Sequence, residues 1–243
     1  MNNLSIPTST YSNESPVIAD ELTLVQQWLP IEDASLLDLG CGPAPIGRRL
    51  LECGAREVIC MDTDAKALTT ILASAPPAGM QLVEAGAQRI PFPDAGFDGV
   101  IMMKSLHHIP VASMDMALCE IARVLKENGV LYVSEPVYAG EFNDIVRLFH
   151  DEGQVRKQAI AAMERAVING LYVQETELHY ISPARFKDFS DFQNRIINAT
   201  HNSFDISPDK MEEIRANFMH HMTETGAFFT RPMRLNVLRK AVA

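Results

Sequence analysis

Apolar positions along the chain follow two alternating rhythms. Short solid runs at 36–39, 56–61, 80–84, 97–103 and 130–135 read as buried strands. Between them the apolar residues recur every three or four positions, as helices require. Ile46, Leu50 and Cys53 lead to Gly54, while Leu68 and Ile71-Leu72 follow Asp64. Met114, Ala117-Leu118, Ile121 and Val124-Leu125 run from a Ser113 cap to Asn128-Gly129. Ahead of the first strand, Ser15-Pro16 opens a helix carrying Ile18, Leu22, Val25 and Trp28-Leu29 as far as Pro30. Strands alternating with helices in this way predict an α/β fold, a doubly wound and mostly parallel sheet.

After Pro136 the alternation stops. Residues 137–206 read as helix-rich with scattered aromatics, and are expected to form a cap over the sheet. Ser207-Pro208 then starts a helix with Met211, Ile214, Phe218 and Met222 on one face, and Met233, Leu235 and Val237 give the period of a last strand over 228–240. The organisation expected is an arm and helix (1–30), a core (31–136), a cap (137–206) and a closing helix and strand (207–243).

Composition narrows this picture in a few places. With 31 acidic against 21 basic residues the net charge is −10, which disfavours a broad surface for nucleic acid. No apolar run reaches the roughly 18 residues of a membrane-spanning helix. The first residues lack a basic segment followed by an apolar one, so they read as a polar leader and the expected location is the cytoplasm. Cys41, Cys53, Cys60 and Cys119 have no metal-binding or redox spacing and are expected as free thiols.

The chemistry concentrates where the first apolar run stops, at Gly40-Cys41-Gly42. Two glycines there permit a tight turn and close approach of a ligand to the backbone. Asp62 ends the second strand about twenty residues on, where a carboxylate accepts bonds from ribose hydroxyls. A dinucleotide site needs a third glycine three residues after the second, whereas Pro43 and Pro45 stand in this turn and the next glycine is Gly47. Asp38 would repel a pyrophosphate. It suits a ligand that carries a ribose and a positive charge, an ammonium or sulfonium.

The series L-L-D-L-G-C-G (36–42), R-I-P-F-P-D-A-G-F-D-G-V-I (89–101), L-H-H-I (106–109) and I-A-R-V-L-K-E-N-G-V-L (121–131) resembles the ordered motifs of the class I S-adenosylmethionine-dependent methyltransferases, in the small-molecule, ubiquinone/menaquinone-type branch. The resemblance implies a seven-stranded Rossmann-like sheet with an antiparallel last strand, and S-adenosyl-L-methionine as cofactor. It assigns Asp38, Gly40 and Gly42 to the methionine moiety, with Cys41 between them in the cofactor site, Asp62 to the ribose and Thr63 to the adenine edge. Relatives often carry an aspartate where Gly86 stands, so the adenine contact passes to the backbone of Ala87 or Gln88. The segment after strand four reads Met103-Lys104-Ser105-Leu106, without the Pro-Pro motif of the amide- and adenine-methylating branches.

The expected reaction is methylation of a small-molecule acceptor at oxygen, carbon or a small amine. His108, Glu135 and His150 are the candidates for a base, with Tyr11, Lys104 and Tyr138 about the acceptor. Metal is not expected, because adjacent residues such as His107 and His108 point in different directions. Two other classes fit the same turn: a cofactor-binding protein without catalysis, and a nicotinamide-dependent oxidoreductase.

Overall fold

In the computed structural model, which describes residues 17–198 and 204–242, the five runs of the core become parallel strands β2 (Ser35–Leu39), β3 (Glu57–Asp62), β4 (Met80–Glu84), β5 (Phe97–Met103) and β6 (Leu125–Pro136). The sheet runs β4-β3-β2-β5-β6, continues through the late strands β9 (Gly226–Lys240) and β7 (Tyr172–Phe186), and ends at a two-residue β1 (Val17–Ile18). β9 is antiparallel to both β6 and β7, while β1 lies parallel to β7. A short β8 (Met222–Thr223) folds back on β9 as a hairpin. The seven-stranded sheet with an antiparallel last strand is therefore present, with two small additions.

Every residue of β2 is buried, because helices cover both faces of the sheet. Leu37 and Leu39 pack on one side with Ile59, Val100 and Leu131, under α4 (Val111–Val124) and α6 (Gly153–Ile168). Leu36 packs on the other with Val58, Cys60 and Ile101, under α1 (Glu21–Trp28), α2 (Pro45–Glu52) and α3 (Ala65–Ala73). The strand order reverses at β2, which has β3 on one side and β5 on the other. Such a reversal leaves a crevice at the strands' carboxyl ends.

Four elements differ from the sequence reading, one being the helix opened by Pro208, which stops at Met219 and leaves Met222 in β8. Helix α1 begins at Glu21, since the Asp20 carboxylate accepts the Thr23 N–H and caps it there; Val17 and Ile18 are extended instead. Helix α4 begins at Val111, and Ser113 lies inside it. Residues 172–186, expected within a helix-rich cap, form the sixth core strand, and α6 supplies the crossover that precedes it. Only the second half of that strand alternates cleanly, with Tyr180, Ser182, Ala184 and Phe186 buried. Its first half exposes Val173, Gln174 and Glu175, with a register shift before Thr176, and so hides the period of two.

The rest of the cap has its own core. Phe186, Phe189, Phe192, Phe218 and Phe229 bury one another between α5 (Glu141–Val146), α7 (Phe189–Phe192), α8 (Pro208–Met219) and the ends of β7 and β9. Their ring centroids lie 5.0–6.1 Å apart, in edge and tilted contact except for Phe189 and Phe192, which stack. These aromatics hold the cap together.

Candidate functional site

The turn after β2 is built from main-chain bonds that only glycine geometry allows. Gly40 has φ +71° and its N–H bonds the Met61 carbonyl at 2.8 Å, tying β2 to β3. A Cβ on Gly40 would come within 2.5 Å of the Ser105 Cβ. Ser105 in turn donates its hydroxyl to the Leu39 carbonyl at 2.7 Å, closing the end of β2 against β5. Gly42, at φ +51°, donates to Asp62 Oδ2 at 2.8 Å, while Asp62 Oδ1 accepts the Asp64 N–H at 2.9 Å. Asp62 is thus fixed by two backbone donors, with lone pairs left for a ligand hydroxyl.

Asp38 is the perturbed carboxyl of the turn. Its carboxylate is buried, and Oδ2 has no hydrogen-bond partner among the described residues. Burial, and then the charge of Asp62, push its pKa from 3.8 up to about 7, against a backbone N–H of Gly47 that favours the anion. An orphaned acceptor beside a second carboxylate calls for donors and positive charge. A pyrophosphate would supply neither. The α2 terminus is equally unsuited to it, because Pro45 stands where a first N–H donor is needed and Ala44 offers no side-chain cap.

Beyond Asp62 the crevice opens into a cavity of about 1420 Å³ lined by Asp38, Gly40, Gly42, Asp62, Thr63 and Gln88 among others. That exceeds the roughly 300–1,000 Å³ of ordinary small-molecule pockets, so there is room for a nucleoside cofactor with space beside it. Gly86, Ala87 and Gln88 form one wall. The Gln88 carboxamide folds back over Gly86, with its oxygen 2.6 Å from where a Cβ of residue 86 would stand. The missing side chain at Gly86 is therefore replaced in space by a polar one two residues later.

A smaller recess of about 230 Å³ adjoins the cavity and shares Lys104, His108, Arg195 and Arg231 with it. Behind it runs a buried chain of charges. His107 Nδ1 meets Glu135 Oε2, and its Nε2 lies 3.4 Å from Glu152 Oε1. Glu152 also pairs with Arg156 at 2.5 Å and His150 at 2.8 Å, and Glu135 accepts the Leu106 N–H at 2.9 Å. Burial alone would lower the His107 pKa, but Glu135 and Glu152 outweigh it and raise the value to about 9. His107 is therefore an imidazolium near neutrality.

The adjacent histidines do not point apart as expected. They sit in a 3-10 turn (Leu106–His108) with ring centroids 4.1 Å apart, and ligand-type atoms of His107, His108 and Glu152 fall within 4.8 Å of one another. The set is nonetheless occupied by its own pairs, since both nitrogens of His107 face carboxylates and Glu152 holds Arg156.

Of the residues expected at the site, Asp38, Gly40, Cys41, Gly42, Asp62, Thr63, Gly86, Ala87, Gln88, Lys104 and His108 line the large cavity, and His150 lines the recess. Glu135 and Tyr138 line neither. Glu135 spends both oxygens on Leu106 and His107, and Tyr138 lies against Asp151 and Gly153 at the start of α6. Tyr11 lies outside the described residues. Glu21, Ser105, Ser182, Arg195 and Arg231 were missed; they reach the cavity from α1, from the end of β5, from the late strands and, for Arg195, from the helical turn Gln193–Ile197 after α7, and no local motif marks them.

Residues 37–133 match the family model described as "Methyltransferase domain". A protein of Mycobacterium tuberculosis named probable S-adenosylmethionine-dependent methyltransferase is 34% identical over 103 residues, covering 42% of this chain and 35% of that one. A fatty-acid O-methyltransferase of Mycolicibacterium smegmatis is 27% identical over 119 residues, 46% of this chain and 41% of its own. The chain thus spans less than half the length of these curated relatives. Among solved structures, the YcgJ protein of Bacillus subtilis superposes with TM-score 0.61 at 17% identity, covering 91% of this chain and 97% of that one. The [4+2]-cyclase SpnF gives 0.59 at 17% identity, covering 91% and 80%. A cyclase among the neighbours shows that the shared fold does not by itself fix the reaction.

Proposed function

We propose that this chain methylates a small organic acceptor with S-adenosylmethionine as its cofactor, a reading supported by the match of residues 37–133 to the methyltransferase domain model and by the S-adenosylmethionine-dependent relatives. The observation that carries the reading is Asp38, a buried acid with an unpartnered oxygen beside the Gly40 turn. An amino-acid ammonium is the group that answers it. Asp62 then takes the ribose hydroxyls, Thr63 the adenine edge, and the Gly86-to-Gln88 wall the adenine ring.

Held by Asp38, the Gly40–Gly42 turn and Asp62, S-adenosylmethionine would supply a methyl activated by its sulfonium, open to attack by an acceptor lone pair. The protein's share is to hold the acceptor in line and to keep water from competing. Where the acceptor is a hydroxyl or an ammonium, a proton must also leave. His108 is the group placed for that, since it lines both the cofactor cavity and the recess. Glu135 acts one residue away as a positioning group: it clamps His107 and the Leu106 N–H, and so fixes the turn that presents His108.

Calorimetric titration with S-adenosylmethionine, S-adenosylhomocysteine and the nicotinamide dinucleotides tests the reading. The first two should bind, and Asp62→Ala should weaken them by about tenfold or more, the value of one or two charged hydrogen bonds. Binding of the dinucleotides alone refutes the proposal. Cofactor binding with no S-adenosylhomocysteine released across a broad acceptor panel would leave a binding protein in its place.

A further inference from the structure

Resting on the methyl-transfer reading, we infer that the acceptor is an organic acid, seated with its apolar body in the inner recess and its carboxylate on Arg231. Arg231 lies on β9 and lines both the cofactor cavity and the recess. Its guanidinium donates to Ser182, through Nη2 to the hydroxyl at 2.9 Å and through Nε to the carbonyl at 3.4 Å, and rests over the Phe142 ring. Among the described residues no carboxylate stands within ion-pair reach of it.

The other cations at this junction are already matched. Lys104 is held by both oxygens of Glu21, at 2.7 and 2.8 Å. Arg195 pairs with Asp191 at 3.0 Å, and Arg156 with Glu152. Arg231 alone of the four has no direct ion pair: its hydrogen bonds go to the Ser182 hydroxyl and carbonyl, and Glu21, already held by Lys104, acts on it only from beyond that hydroxyl. A partly buried guanidinium without a direct ion pair is a ready partner for an incoming anion. Burial already lowers its pKa from the usual arginine value, with Glu21 and Tyr180 pulling the other way.

The shape of the recess completes the description of the ligand. Pro136, Val137, Phe142, Val146, Ile196 and Met233 give it mostly apolar walls. An apolar cavity of about 150 Å³ takes benzene, so the 230 Å³ here holds about one ring with a short extension, or a short alkyl chain. A planar guanidinium fork at the mouth matches a carboxylate in two parallel bonds, which an alcohol or amide of equal shape cannot reproduce.

The test uses alkanoic acids from butanoate to octanoate, benzoate and phenylacetate, each beside its primary amide. Ligand-observed NMR follows their binding to the protein saturated with S-adenosylhomocysteine, and to Arg231→Gln and Arg231→Lys. We expect at least one acid to bind about tenfold or more tightly than its amide. Arg231→Gln should erase that margin and Arg231→Lys retain part of it. The affinity for S-adenosylmethionine should stay within about twofold in the glutamine variant, since Arg231 is assigned to the acceptor.

The inference is overturned if no acid outdoes its amide, or if the margin survives in Arg231→Gln. It is equally overturned if that variant loses the cofactor tenfold, which would assign the guanidinium to the cofactor's own carboxylate. Should Arg231→Gln not fold, the wild-type margin and the lysine variant decide. Failure of S-adenosylmethionine to bind the unaltered protein is a separate result: it removes the methyl-transfer reading, while the acid and amide titrations, repeated without cofactor, still report on Arg231.

Discussion

At the scale of single residues, Asp38 shows how function and stability oppose each other. Its folded pKa of about 7 lies above the unfolded 3.8, so the native state binds the extra proton between these values. Its contribution to stability is full below pH 3.8 and is lost as pH rises through 7, a loss of roughly 4 kcal/mol at most by linkage. Asp38→Asn should therefore raise the melting temperature at pH 8 far more than at pH 5, while weakening cofactor binding. A stabilisation that does not change with pH would contradict the raised value. Asp38, Gly40, Gly42 and Asp62 were legible in the sequence because a strand and its turn bring them together over a few residues, or over one βα step. Arg231 and Glu152 were not: the register of β9 and the start of α6 deliver them from 90 or more positions away, and nothing local distinguishes them from solvated charges.

At the scale of elements, the fit of α2 against the sheet rests on a glycine whose role the spacing did not suggest. The sequence offers no glycine at the third place of the dinucleotide pattern, yet Gly47, two residues later, does the packing. A Cβ there would stand 2.6 Å from the Cys60 Sγ on β3 and 3.4 Å from Val58 and Met80. Gly47→Ala should cost about 1–3 kcal/mol through overpacking, read as a lowered midpoint in urea. The same variant should disturb the Gly40 turn, because α2 starts directly after it. Strands β2, β3 and β5 were readable since both faces are largely buried and each becomes a mostly apolar run. β7 was not, because one half of it borders solvent and a bulge breaks its period.

At the scale of the molecule, the parallel core followed from the alternation of patterns and the antiparallel closing strand from the family resemblance, while the cap's packing followed from neither. Its phenylalanines touch across α5, α7, α8 and two strand ends, contacts that periodicity along one segment cannot reveal. The two-residue strand β1 has a separate consequence. Among the described residues it pairs through Val17 and Ile18, at an edge of the sheet, and the chain then runs through Ala19, Asp20, Glu21 and Leu22 along the cofactor cavity. Two residues of pairing give little local stability, so the amides of 17–22 belong to the part of the molecule that opens most readily. Deuterium uptake there should be fast in the free protein and slow by about tenfold or more when S-adenosylhomocysteine fills the cavity, whereas β2 should exchange only with global unfolding. Equal uptake with and without the ligand would refute the coupling. That segment would then serve as a built-in gauge of cavity occupancy, readable by mass spectrometry before any acceptor has been identified.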